Sequence, residues 1–260
     1  MPKLWVFGDS FSAPYKIPVG KEWPALWADK SGYELENFSR SGTSNNFIYF
    51  EYARRVGEIK ADDRIIIAWS NRYRHTILGN PTGRKKNHTF RPNNRADPHS
   101  DEYFADFFSI ETEDNTLSMA VNGAKNLAPC PIAQFSGHDD FGSTTITPND
   151  MMDITERMYN VKTAQQIEHL MVKLPRTGCL LHEWMLMQIE EAKKHDAGFQ
   201  ASDYFDEDYV HYTYLLFHKL NNLGCNWFID TWHLNETGHQ RFAEVVDPIL
   251  VETFSTQWPL

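Results

Sequence analysis

The chain has 260 residues, 41% of them hydrophobic and 23% charged, which excludes a disordered tail or a fibrous repeat and supplies apolar material for one substantial core. Its 25 Lys and Arg stand against 35 Asp and Glu, and the formal charge of -10 repels nucleic acid and anionic membrane over most of the surface. Neither is therefore expected as a partner. Cys130, Cys179 and Cys225 are widely spaced without a Cys-x-x-Cys pair, so the thiols read as reduced and structural, with neither a disulfide framework nor a zinc site.

Leu4 to Phe7 is a short continuous apolar run stopped by Gly8-Asp9-Ser10, the pattern of a buried parallel strand ending in a tight turn. The run is too short for the apolar region of a signal peptide, and no stretch approaches the roughly eighteen apolar residues of a membrane span. The expectation is a soluble chain, cytoplasmic by default. Glu22 to Asp29 has helical spacing, Leu35 to Phe38 fits a second strand, and Phe47 to Ile59 fits a helix with Tyr49, Tyr52, Ala53 and Val56 on one face. Arg64 to Trp69, with three consecutive isoleucines, is the strongest strand in the chain. This alternation predicts an α/β fold with a parallel sheet and right-handed crossovers.

From Arg72 to about Asn149 the pattern gives way to Gly, Pro, Asn and Asp with scattered aromatics, which reads as a long insertion at about 72–150 within a single domain spanning 1–260. Helical periodicity returns around Ile167 to Leu174 and Leu181 to Ala192, split by Pro175 and Gly178, as an antiparallel pair. Tyr209 to Leu223 fits a helix or a strand, and Cys225 to Ile229 fits a last strand. No fourth strand is legible between Trp69 and Cys225. The C-terminal helix has a capping-box pattern at Thr237 and Gln240, an apolar face of Phe242, Val245, Val246, Ile249 and Leu250, and a kink expected at Pro248.

A serine directly after a strand presents its hydroxyl at the carboxyl edge of the sheet, where open α/β folds place their ligands. Ser10 occupies that position. A serine nucleophile needs a base for its proton and an acid to orient the base, and Asp230 and His233 follow the last apparent strand at a three-residue offset that suits such a pair. Donors for a developing oxyanion can come from Gly42 and Asn71, after the second and third apparent strands.

These residues resemble the SGNH, or GDSL-type, hydrolase superfamily in four blocks: Gly8-Asp9-Ser10-Phe11-Ser12, Asn37 through Ser41-Gly42 to Asn45, Ser70-Asn71, and Asp230-Thr231-Trp232-His233. The resemblance implies a three-layer α/β/α sandwich of flavodoxin-like type. It also implies Ser10 as nucleophile, Asp230 and His233 completing the triad, and the Ser10 N–H, the Gly42 N–H and the Asn71 amide as oxyanion donors. Two departures stand out: the third block is Trp69-Ser70-Asn71-Arg72 where the family usually has Gly-x-Asn-Asp, and His233-Leu234 replaces the common His-Pro.

The expected activity is hydrolysis of a carboxylic ester through an acyl-enzyme, with no metal or organic cofactor. The partner would be a small-molecule or carbohydrate ester, and the aromatics and polar insertion residues favour an O-acetylated carbohydrate. Trp232 would stack on a sugar or acyl group. Arg72 opens a basic run through Arg74, Arg84, Lys85, Lys86, Arg91 and Arg95, which either holds an anionic substrate group or is a solvated face balanced by the acids from Asp97 to Asp114. His138-Asp139-Asp140 reads as an exposed turn, and His182, His211, His218 and His239 as surface or core histidines. The alternatives are a non-catalytic module of the same fold, or an O-acyltransferase using the same triad.

Overall fold

A computed structural model describes residues 1–70, 74–77, 88–90, 109–136, 192–199, 229 and 233–257. Strand β1 (Lys3–Phe7) lies between β2 (Glu34–Asn37) and β3 (Arg64–Trp69), and β3 pairs on its other side with β6 (Ile132–Ser136). All three pairings are parallel. Between β3 and β6 run a small antiparallel pair, β4 (His75–Ile77) with β5 (His88–Phe90), and helix α3 (Ile110–Leu127).

The chain steps one way along the sheet from β1 to β2 and the other way from β2 to β3 and from β3 to β6. Right-handed crossovers then require α1 (Trp23–Ser31) to lie on the opposite face from α2 (Asn45–Ala53) and α3. The packing agrees. Trp5, Phe7, Ile65, Ile67 and Trp69 form one cluster with Ile48 and Tyr52 of α2 and Leu117, Val121 and Ala124 of α3. The alternate strand residues Leu4, Val6, Ile66 and Ala68 are equally buried, and alternation turns them to the other face. There α1 packs against the C-terminal helix α4 (Glu236–Gln257), with Trp23 edge-on to Phe242. The sheet is thus covered on both faces, the three-layer arrangement expected.

Several elements differ from the sequence reading. Helix α2 ends at Ala53, followed by a turn and a 3-10 segment at Val56–Glu58, so the helix expected through Ile59 is broken. Its buried face is Phe47, Ile48 and Tyr52, with Tyr49 and Val56 only partly covered. The reading of 72–150 as an insertion is corrected for α3 and β6, which belong to the central layers, and β6 is the fourth strand that the pattern hid. In α4, the cap is Asn235 and not Thr237, because Asn235 Oδ1 accepts the Gly238 N–H at 3.0 Å. Pro248 lies inside α4 on its exposed side. Cys130 is a free, buried thiol that burial pushes up to about 12. The expected helices around 167–192 apart from Ala192, the segment 209–223, the strand at 225–229 apart from Ile229, and Cys179 and Cys225 lie outside the described residues.

Candidate active site

Strands β1 and β3 are neighbours whose connections leave toward opposite faces, so a crevice opens between their carboxyl ends. The turn after β1 enters it. Gly8 is needed there for space: a Cβ would stand 3.0 Å from Ala68 Cβ and 3.2 Å from its carbonyl oxygen. Asp9 then folds its carboxylate back over the turn. Its Oδ1 accepts the Phe11 N–H at 3.0 Å, and its Oδ2 accepts from the Ser70 hydroxyl and from Arg74 Nη1, each at 3.0 Å. Arg74 Nη1 also donates to Ser70 Oγ at 2.9 Å. A carboxylate with no exposed surface is thereby neutralised and hydrogen-bonded, as a buried charge requires. Ser10, between Asp9 and Phe11, is nearly buried.

The loop after β2 is tied to the same turn. The Arg40 N–H and the Thr43 hydroxyl both donate to the Gly8 carbonyl, at 3.0 and 3.2 Å. Gly42, on this loop, is buried at φ +74°, a backbone conformation that favours glycine. At the start of α2, Asn45 spans to the loop after β3: its Nδ2 donates to the Ser70 carbonyl at 2.9 Å and its Oδ1 accepts the Ser70 N–H at 2.7 Å. Three loops from three strands are thus joined through buried polar groups.

His233 enters from the other end of the chain, with Nε2 3.0 Å from Ser10 Oγ. Its carbonyl accepts the Ile229 N–H at 2.9 Å. Tyr15 lies on the imidazole with ring centroids 4.2 Å apart, and Phe11 approaches at 5.9 Å. Behind it, His239 of α4 is buried, and its Nδ1 accepts the Trp23 N–H at 3.2 Å, joining the first turns of α1 and α4. Burial, and after it the neighbouring His233, push His239 down to about 4, so this imidazole is neutral.

Of the residues singled out from the sequence, Ser10 and His233 meet, and Gly42 lies on a loop bonded to the turn that carries Ser10. Asp230, Trp232, Asn71 and Arg72 lie outside the described residues, as does His138-Asp139-Asp140. Three roles at this site were not read from the sequence: Asn45, named only as the end of a resemblance block, as a clasp; Tyr15, not singled out, as a cover on the imidazole; and Arg74, named only in the basic run, as the partner of Asp9. Arg74 belongs to the run read either as a holder of an anionic substrate group or as a solvated face, and its side chain is only 21% exposed and pairs with Asp9. Among the described residues, no group of three or more His, Cys, Asp or Glu is placed to hold a metal ion, and no helix is long and apolar enough to cross a membrane.

No family model matches the chain, and no curated protein matches it. Among solved structures, the chain is similar to a member of the lipolytic G-D-S-L family from Veillonella parvula, at 12% identity over 96% of this chain and 99% of that one, with a TM-score of 0.45. It is similar to TesA, at 13% identity over 96% and 99% of the two chains and a TM-score of 0.42. A psychrotrophic esterase, EstA from Pseudoalteromonas sp., solved with monoethylphosphonate as inhibitor, aligns at 10% identity over 99% and 98%, with a TM-score of 0.40.

Proposed function

We propose that the chain is a serine hydrolase of the SGNH type acting on a carboxylic ester. The observation that carries this reading is the 3.0 Å approach of His233 Nε2 to Ser10 Oγ at the carboxyl edge of a parallel sheet. A hydroxyl with an imidazole in hydrogen-bond reach is the minimal unit for an activated oxygen nucleophile.

In the proposed reaction Ser10 Oγ attacks the carbonyl carbon while its proton passes to His233 Nε2. The oxyanion is stabilised by the Ser10 and Gly42 N–H groups and the Asn71 side-chain amide. The imidazolium then protonates the departing alkoxide, which leaves an acyl group on Ser10. Water, deprotonated by His233, releases the acid and restores the serine. Asp230 is assigned to the imidazole Nδ1–H, holding the tautomer in which Nε2 can accept a proton and offsetting the charge that forms. Trp232 and Arg72 are assigned to substrate contact, and an O-acetylated carbohydrate is the proposed substrate class.

Labelling with a fluorophosphonate probe tests the reading. Ser10 is expected to be modified in the wild type and not in His233→Ala, and Ser10→Ala is expected to lose turnover of p-nitrophenyl acetate. An unlabelled wild type would leave a non-catalytic module of the same fold. Undiminished turnover by Ser10→Ala would place the chemistry elsewhere. Asp230→Asn should slow acylation by about 10²- to 10⁴-fold, and a drop of less than about threefold would mean that another group orients His233.

A further inference from the structure

The segment after Ser10 leads Tyr15 onto the face of His233 by a backbone that leaves it little choice. The Ala13 N–H is bonded to the Asp9 carbonyl and the Tyr15 N–H to the Ala13 carbonyl, at 3.1 and 2.7 Å, and Pro14 between them has its φ fixed by its ring. Lys16 follows at φ +56°, the only non-glycine residue with a positive φ among the described residues. An L-residue adopts that conformation at a cost, and such outliers gather where a functional group must be aimed. The outcome here is the Tyr15 ring at 4.2 Å and 35° to the imidazole, with Lys16 Nζ 4.9 Å from the centre of the same ring.

We propose that Tyr15 is a positioning residue for His233 whose electron-rich face favours the imidazolium formed as Ser10 attacks, and so speeds acyl transfer. The inference rests on the ester-hydrolase reading. An aromatic face attracts a cation within about 6 Å of its centroid far more than it attracts a neutral ring. The imidazole is neutral while it waits to accept the Ser10 proton and positive in the transition state, so the attraction is gained mainly in the transition state and raises kcat, with little effect on substrate affinity. Among the described residues, the polar or charged groups near the imidazole include Ser10 from the turn after β1, Lys16 beside Tyr15, and neutral His239 from α4; Asp230 is the group assigned above to its Nδ1–H. Among the described residues, Tyr15 brings its ring to 4.2 Å from the imidazole centroid, and the Phe11 ring is at 5.9 Å.

The test keeps the shape of the ring and changes its electrons. Tyr15→Phe should retain kcat for p-nitrophenyl acetate within about twofold. Pentafluorophenylalanine at position 15, whose face repels cations, should lower kcat by about 3- to 10-fold with KM unchanged, and should slow fluorophosphonate labelling in parallel. The final labelling stoichiometry of each variant counts intact sites, so a misfolded protein is not mistaken for a slow one. Equal kcat for the phenylalanine and pentafluorophenylalanine proteins, or a change in KM alone, would overturn the role assigned to Tyr15 while leaving the hydrolase reading in place. A wild type that neither labels at Ser10 nor turns over esters would remove the hydrolase reading, and this inference with it.

Discussion

The side chain of Asn45 completes both backbone hydrogen bonds of Ser70, accepting from its N–H at 2.7 Å and donating to its carbonyl at 2.9 Å. Asn45 opens α2 and Ser70 is the first residue after β3, so the amide acts as a one-residue strand partner where the strand has run out. Asn71 is the next residue, and its proposed work on the oxyanion depends on where this clasp leaves the chain. Asn45→Ala should cost about 1–3 kcal/mol for the two buried backbone groups left unsatisfied. It should also lower kcat by about 10- to 100-fold with KM little changed. Asn45→Asp keeps the acceptor and loses the donor, and should fall between. Urea unfolding with steady-state kinetics on the three proteins checks this; a kcat unmoved in Asn45→Ala would detach the clasp from catalysis.

Asp9 is fully buried, and Arg74 is a cation paired with it. Removing one member of such a pair strands the other charge in the protein interior. Arg74→Met should therefore destabilise the fold by about 2–4 kcal/mol, a little under the usual figure because the guanidinium is itself partly exposed. Adding Asp9→Asn should recover part of that loss, since the amide can still accept the Phe11 N–H without carrying a charge. A double-mutant cycle by urea denaturation measures the coupling. Additive losses would mean that the two residues stabilise the turn independently.

The sequence shows best what local pattern controls. The run Arg64 to Trp69 reads as the strongest strand and Gly8-Asp9-Ser10 as a tight turn after one, because isoleucine runs and turn residues act over a few positions. Strand β6 (Ile132–Ser136) was illegible because its sequence, Ile-Ala-Gln-Phe-Ser, is short and half polar, and it becomes a strand through pairing with β3. Helix α3 was hidden by its polar composition. Its buried side is the small-residue row of Ala120 and Ala124 beside Leu117 and Val121, which yields a weak apolar stripe. At the site, Ser10 and His233 could be singled out because each sits in a recognisable context, Ser10 in the Gly-Asp-Ser turn after the first strand and His233 in the Asp-x-x-His block. Asn45, Arg74 and Tyr15 act through contacts between loops, and no spacing rule encodes such contacts.

Gly8 is packed closely against β3. A methyl group there would meet Ala68 Cβ at 3.0 Å, Ala68 O at 3.2 Å and Ser12 Cβ at 3.3 Å, two of them on the neighbouring strand β3. Since β3 is pinned between β1 and β6, relief has to come from the turn, which moves Ser10 away from His233. Gly8→Ala should cost about 1–3 kcal/mol, as overpacking does, and should slow fluorophosphonate labelling of Ser10 more than ten-fold. Gly57→Ala is the control, because nothing lies within 4 Å of a Cβ at that position. Normal labelling of the Gly8 variant would show that the turn can shift without disturbing the nucleophile.

His239 gives stability a dependence on pH whose sign follows from its burial. In the folded chain burial, and then the adjacent His233, lower it from 6.5 to about 4. As the pH falls below 6.5 the unfolded chain takes up a proton that the folded chain refuses, so the unfolded state gains. The contribution of the neutral imidazole is complete above pH 6.5, declines as the pH falls, and is gone below about 4. The whole span is worth about 3 kcal/mol by linkage. His239→Gln supplies an amide oxygen for the Trp23 N–H but has no proton to bind. Its urea midpoint should therefore fall less than that of the wild type between pH 7 and pH 4.5. Parallel midpoints across that range would mean that the pH dependence of folding comes from other groups, and that His239 serves only to join the first turns of α1 and α4.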